Sequence, residues 1–248
     1  MHIYGVHPSE ELLRTAPDQI YEIYAADPYA SKLEDVREMV KTLGLRLQQA
    51  SYDELDRMAE GGNHQGIVIQ TRPFEYVALG DLLDATADAS RACVLVLDQI
   101  QDPHNLGAIL RSSAAMGVDG VIIPKDRAAG VTAAVVRASA GQALRVPVAR
   151  ITNIARTLDE LKEHGWWTAG AMLGEHTTDL WDMDFEMKTA LVMGSEHQGI
   201  RRLVGEKCDF KVRIPMAAGV ESLNVASAAS IMLYEVRRQW ATGGSQEG

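Results

Sequence analysis

The sequence predicts an α/β protein in which a C-terminal parallel sheet, covered by helices on both faces, follows a small N-terminal α/β domain. Two patterns carry that prediction. From residue 93 onward, near-continuous apolar runs such as VLVLD (94–98) and TALVMG (189–194) alternate with segments of helical spacing, as strands buried on both faces do. Before residue 73, a shorter alternation of strand and helix is closed by the proline of HQGIVIQTRP (64–73), which has no N–H for a sheet ladder. At 248 residues the chain has room for two such domains.

In the first domain, residues 1–72, IYEIYAA (20–26) reads as a strand and SKLEDVREMVKTLG (31–44) as an amphipathic helix stopped by glycine. LRLQQAS (45–51) is the next strand, YDELDRMAEGG (52–62) a helix, and HQGIVIQTRP the closing strand. Residues 73–92 are weakly patterned and read as a linker with at most one short helix. In the second domain, 93–242, VLVLD is a strand, LGAILRSSAAMG (106–117) a helix and VDGVIIP (118–124) a strand. VTAAVVRASAGQAL (131–144) and ITNIARTLDELKEHG (151–165) follow as helices, then WWTAGAML (166–173) and TALVMG as strands. IRRLVGEKC (200–208) is a helix, FKVRIPM (210–216) a strand, and LNVASAASIMLYEVRRQW (223–240) the last helix. Residues 243–248, GGSQEG, are a polar tail.

Hydrophobic residues at 46% and charged residues at 23% fit a soluble globular protein. No apolar run approaches the ~18 residues of a membrane span, and MHIYGVHPSEELL shows no signal-peptide pattern. Cys93 and Cys208 stand far apart without metal-ligand spacing, which predicts reduced thiols in a cytoplasmic protein. The net charge of −10 argues against a phosphate-rich partner. Its distribution weakens that objection: residues 95–145 carry five basic and four acidic side chains, and residues 194–240 seven and five.

P-loop, Rossmann, HExxH and GxSxG signatures are absent from the sequence, so classical dinucleotide and ATP chemistry lack support. Three polar interruptions remain, each after a predicted strand: DPHNLGAILR (102–111), MGSEHQG (193–199) and IPMAAGVESLN (214–224). Ligands of open parallel sheets gather at the carboxyl ends of the strands, so these loops are expected to build one site. Each residue also has a plain structural role open to it. Asn105 suits a helix N-cap, Arg111 a solvated helix face, and Glu196 the positive end of the following helix. Ser222 and Asn224 suit caps of the last helix; Gly194, Gly199 and Gly219 suit turns. His104 and His197 read as loop histidines, and no ligand spacing marks a metal.

Together, DPHNLGAILRSSAAMGVDGVII, LVMGSEHQGIRR and IPMAAGVESLNVASAASIMLYE resemble, in order and spacing, the three motifs of the SpoU/TrmH family of RNA 2'-O-methyltransferases, within the SPOUT superfamily. GVHPSEELL and HQGIVIQ resemble the small RNA substrate-binding domain of the branch that methylates a guanosine in bacterial 23S rRNA. PKDRAAGVTAAVVRASAGQA and VARITNIARTL continue the likeness between the first two motifs. One departure is that Ala217 and Ala218 precede Gly219, where the family commonly places glycine two residues after proline-methionine.

The resemblance implies a SPOUT-type sheet with a C-terminal trefoil knot, a homodimer with the knots at its interface, and S-adenosyl-L-methionine as cofactor. It implies methyl transfer to a ribose 2'-hydroxyl, with 23S rRNA as partner. The same chemistry on tRNA or another rRNA nucleotide, or a non-catalytic RNA-binding protein of this fold, are the alternatives. It places Asn105, Arg111, Glu196, Ser222 and Asn224 on the catalytic face. It places Met193, Gly194, Ser195, Gly199, Ile214, Met216 and Leu223 around the cofactor, with the two glycines of the second motif letting backbone approach it. In the family the arginine matching Arg111 is proposed as the general base. A guanidinium stays protonated in proteins, so anchoring a phosphate and stabilising the forming alkoxide is the physically preferred role. A phosphate oxygen, water or Glu196 would then accept the proton. The last helix carries apolar residues at 226, 229, 233, 236 and 240, a stripe for the core or for a partner.

Overall fold

The computed structural model describes residues 1–174, 176–196, 198–220 and 222–243; His197, whose loop role was read above, and residues 244–248 of the tail lie outside them. The chain forms two compact units, residues 1–75 with 131–145, and residues 76–130 with 146 onward.

The first unit starts with β1 (His2–Tyr4), α1 (Val6–Thr15), β2 (Ile20–Ala25), α2 (Glu34–Thr42), β3 (Leu47–Gln49), α3 (Tyr52–Met58) and β4 (Ile67–Thr71). Its sheet runs β1-β4-β2-β3, with β4 antiparallel to both neighbours and β2 parallel to β3. Helix α3 begins at a capping box in which Ser51 N donates to the Glu54 carboxylate at 2.7 Å and Glu54 N to Ser51 Oγ at 3.3 Å, satisfying two otherwise free donors. Strand β1 and helix α1 were not legible in the sequence. The N-cap of α1 is Gly5, at φ +94° and without a side-chain cap, so no capping residue announces the helix.

The second unit opens with α4 (Leu79–Ala85), β5 (Ala92–Asp98), α5 (Pro103–Met116) and β6 (Gly120–Pro124). The chain then gives α6 (Ala133–Ala138) and a 3-10 turn to the first unit. It continues in the second as β7 (Val148–Ile151), α7 (Ile154–Glu163), β8 (Trp167–Ala171), β9 (Thr178–Asp179), β10 (Lys188–Gly194), α8 (Arg202–Gly205), β11 (Phe210–Arg213) and α9 (Val225–Gly243). The order is β7-β6-β5-β10-β8-β11-β9, every pair parallel. All of β5 is buried. Val94 and Val96 pack with Leu82 and Leu83 of α4, Leu158 of α7 and Val204 of α8. Leu95 and Leu97 point to the other face, where α5 packs against β6 and α9, and α9 against β10. Each such side chain contributes about 1.5–3 kcal/mol by its burial. The α9 stripe faces this core: Ala226, Ala229, Leu233 and Val236 are buried, and Trp240 Nε1 donates to Phe185 O at 2.9 Å.

The domain boundaries differ from those expected. Residues 76–92 are part of the second unit rather than a linker, because Val77 bridges Ala149 and α4 buries its leucines. Residues 131–145 pack with the first unit: the Arg137 guanidinium lies 3.9 Å from the Tyr4 ring centre, and Gln142 donates to Glu11. Between them and α7, the short strand β7 was also missed. Deleting residues 1–72 should therefore strand the buried Val135, Val136 and Ala143. We expect the truncated chain to bind the apolar dye ANS more strongly and to unfold at lower temperature than the full chain. Equal dye binding and melting would show that 131–145 needs no cover from the first unit.

Candidate active site

Strands β5 and β10 are central neighbours whose register ends on the pair Asp98 and Gly194. From β5 the sheet continues through β6 and β7 on one side; from β10 it continues through β8, β11 and β9 on the other. That divide is a topological switch point, the place where parallel sheets bind ligands beyond their carboxyl ends. The loops after β5, β10 and β11 meet there.

The first loop is built differently from the expectation. Asp102, not Asn105, caps α5: its Oδ1 accepts from His104 N at 2.9 Å, and Pro103 fills the first helical position, where its missing N–H costs nothing. Asn105 is thereby released for other contacts. Its Nδ2 donates to Glu196 Oε1 at 3.1 Å, and its Oδ1 accepts from Asn224 Nδ2 at 2.9 Å. Asn224 Nδ2 also donates to Glu196 Oε1, as does Val225 N at 3.4 Å. Asn224 Oδ1 meanwhile caps α9 by accepting from Ala226 N at 3.0 Å and Ser227 N at 3.2 Å. One side chain thus caps a helix with its oxygen and ties three loops with its nitrogen. Glu196 sits at the N-terminus of α9, where a helix dipole favours a carboxylate, rather than at that of α8.

The second loop folds on itself. Ser195 and Gly199 exchange backbone bonds, Ser195 N to Gly199 O at 3.2 Å and Gly199 N to Ser195 O at 2.8 Å. A Cβ on Gly194 would lie 2.0 Å from the Gly199 carbonyl carbon and 2.1 Å from Ile200 N. Glycine is thus required at 194 by the loop's own backbone, a constraint the sequence did not reveal. In the third loop, Gly219 takes φ +85° in a turn closed by Val220 N and Ala217 O at 3.3 Å. The glycine displaced along the sequence has found its turn.

Sequence reasoning missed the clamp that ties the end of the second loop to β5. The Asp98 carboxylate is fully buried and accepts from Arg201 N at 3.0 Å and Arg201 Nε at 2.8 Å. The available signal was an aspartate ending an apolar strand, with HQGIRR elsewhere to pair it. Removing the side chain with Arg201→Ala should cost about 1.5–3 kcal/mol, the scale of a hydrogen bond to a charged group, because the buried carboxylate loses a donor. An unchanged urea midpoint would show that the pair does not form in solution.

A cavity of about 430 Å³ opens beside the clamp. All seven residues expected around a cofactor line it: Met193, Gly194, Ser195, Gly199, Ile214, Met216 and Leu223. Glu196 and Ser222 line it too, as do two residues the sequence did not mark, Leu173 after β8 and Ala228 on α9. The volume falls in the usual range for small-molecule sites, roughly 300–1,000 Å³. Its apolar walls and loop backbone fit a nucleoside cofactor with a flat base and a flexible amino-acid arm. Arg111 stands apart. It lies on the exposed face of α5, joined to no described residue by a hydrogen bond or ion pair, about 9 Å along the helix from Asn105 at 1.5 Å per residue. Among the described residues, no group of three His, Cys, Asp or Glu is placed to hold a metal, and no helix is long and apolar enough to cross a membrane.

Fold and site together define an α/β protein that holds a nucleoside-like ligand at the switch point of a parallel sheet. The chain belongs to the SpoU rRNA methylase family, whose model matches residues 92–234. The model for RNA 2'-O ribose methyltransferase substrate binding matches residues 2–77. The 23S rRNA (guanosine-2'-O-)-methyltransferase RlmB of Vibrio vulnificus is 41% identical, over 96% of each chain. A Staphylococcus haemolyticus protein assigned to the TrmH family of tRNA/rRNA methyltransferases is 46% identical, over 84% of this chain and 83% of its own. The SpoU methyltransferase AviRb of Streptomyces viridochromogenes, in complex with the cofactor AdoMet, superposes with a TM-score of 0.75 at 25% identity, over 98% of this chain and 91% of its own.

Proposed function

We propose that this chain methylates the 2'-hydroxyl of a guanosine in 23S rRNA with S-adenosyl-L-methionine, as a cytoplasmic homodimer knotted near its C-terminus. The observation that carries the reading is that Asn105, in the first turn of α5, and Asn224, at the cap of α9, both bond Glu196, which lines one cavity with all seven cofactor candidates. The 41% identity to RlmB proteins along nearly the whole chain supports the guanosine and the rRNA.

When bound, the cofactor supplies an electrophilic methyl group on a sulfonium, whose departure leaves a neutral thioether, so no oxyanion hole is needed. The protein's task is to position the ribose oxygen and manage its proton. Glu196 Oε1 is already occupied by three N–H donors. It holds Asn105 and Asn224 in place, and only the other carboxylate oxygen is left to take a proton. Ser222 stands at the cavity wall, where its hydroxyl can orient the ribose. Arg111, without a carboxylate partner among the described residues, anchors the phosphate beside the target and offsets the charge of the forming alkoxide.

The test is transfer of labelled methyl from the cofactor to unmodified 23S rRNA and to bulk tRNA. Label recovered from 23S rRNA as 2'-O-methylguanosine is expected. Label confined to tRNA would move the activity to tRNA, and a chain that binds cofactor but labels neither would be a non-catalytic RNA-binding protein.

A further inference from the structure

We infer that the rim of the sheet beyond the catalytic loop, carrying Lys125, Arg127 and Arg150, is a phosphate track for the single-stranded RNA flanking the target nucleotide. The inference rests on the reading of the site as one that acts on RNA, and adds where the rest of the strand lies. Strands β5, β6 and β7 are consecutive neighbours, so their carboxyl ends form one edge about 10 Å long at the usual strand spacing. The loops at that edge are joined in series. Ala129 N donates to Ile100 O at 2.8 Å, linking the loop after β6 to the one leading to Asn105, and Lys125 N donates to Ile151 O at 2.8 Å, linking it to β7.

Three cations occupy this edge, and all are exposed. Arg150 is held in place without being neutralised: its guanidinium donates to Lys125 O at 3.0 Å and lies 4.9 Å from the Tyr76 ring centre. A guanidinium packed on an aromatic face keeps its charge and its remaining N–H donors for an anion. Arg127 adopts φ +57°, a backbone state uncommon outside glycine that is often retained for function. None of the three forms an ion pair with a described carboxylate. Asp126 stands between Lys125 and Arg127 in the chain, and Asp102, in the neighbouring loop, is engaged in capping α5. On a chain of net charge −10, unpaired cations gathered at the edge that carries the catalytic loop suit a polyanion laid across it.

The test measures binding of a fluorescently labelled single-stranded oligoribonucleotide as a function of salt, for the full-length protein and for Lys125→Ala, Arg127→Ala, Arg150→Ala and the triple variant. Each single change should weaken binding by about three- to tenfold at low salt, and the triple change should flatten the slope of log K against log salt by about 2, near 0.7 per lost phosphate contact. Cofactor affinity should not change, and Arg150→Lys should keep the wild-type slope. Unaltered affinity and slope in the triple variant would overturn the track while leaving methyl transfer by the wild type standing. Arg150→Lys as weak as Arg150→Ala would remove Arg150 from the track and assign it to packing on Tyr76. A parallel loss of cofactor affinity would put these residues in the cofactor site and overturn the inference. A wild-type protein that binds no RNA would overturn both the track and the function it rests on. If the oligonucleotide binds with the expected slopes but no RNA is methylated, the track stands and the methylation reading fails.

Discussion

Arg111→Ala should fold normally, bind the cofactor as tightly as the wild type, and lose at least ~100-fold in single-turnover methyl transfer, the scale of an electrostatic or acid–base contribution. Arg111 is exposed and forms no hydrogen bond or ion pair with a described residue, so a purely solvated arginine there would change stability by no more than about 0.5 kcal/mol. It also lies outside the cavity, which separates its effect from cofactor binding. Loss of transition-state stabilisation would appear in kcat/KM with the cofactor Kd unmoved. Arg111→Lys then separates two roles. Lysine keeps a point charge but loses the planar fork; substantial rescue would favour charge stabilisation, and no rescue would favour bidentate phosphate binding or the proposed base. An Arg111→Ala enzyme with the wild-type rate would make this residue surface.

Gly194 should prove intolerant of even one added carbon. A ligand-facing glycine would lose affinity gradually from Ala to Val, because the added atoms would meet the cofactor. Here the first carbon already meets the Gly199 carbonyl at 2.0 Å. Overpacking costs about 1–3 kcal/mol, and against backbone that cannot swing aside the upper end applies. Gly194→Ala and Gly194→Val should therefore both lower cofactor affinity by about 100-fold, since each 1.4 kcal/mol is tenfold. Ala228→Leu is the companion variant. It fills the cavity from a half-buried position on α9 and should weaken the cofactor without unfolding the loop. Calorimetry with wild-type affinity in Gly194→Ala would show that the loop is not closed as described.

What was legible in the sequence was what local pattern encodes. Apolar runs interrupted by DPHNLG, SEHQG and MAAGVESLN place three polar loops at strand ends, and the loops do meet. The seven cofactor candidates came with them, because they flank those same strand ends; Leu173 and Ala228, which also line the cavity, did not. Contacts between distant residues were not legible. Helical spacing in VTAAVVRASAGQAL marks a helix but not the surface that buries it, and that surface belongs to the first unit. Asn105 is as good a cap as Asp102 by residue type; the proline between them decides the register, and with it the freedom of the Asn105 amide. The need for glycine at 194 arises from a loop that returns five residues later. Asp98 looked like the polar end of a strand until Arg201, 103 residues away, was found on it.

The central claim is tested most directly by mapping ribose 2'-O-methylation at nucleotide resolution in the rRNA of cells lacking this chain. Loss of the mark at a single guanosine of 23S rRNA is expected, restored by the wild-type chain and not by Arg111→Ala. A methylation map identical to that of the parent cells would contradict the assignment.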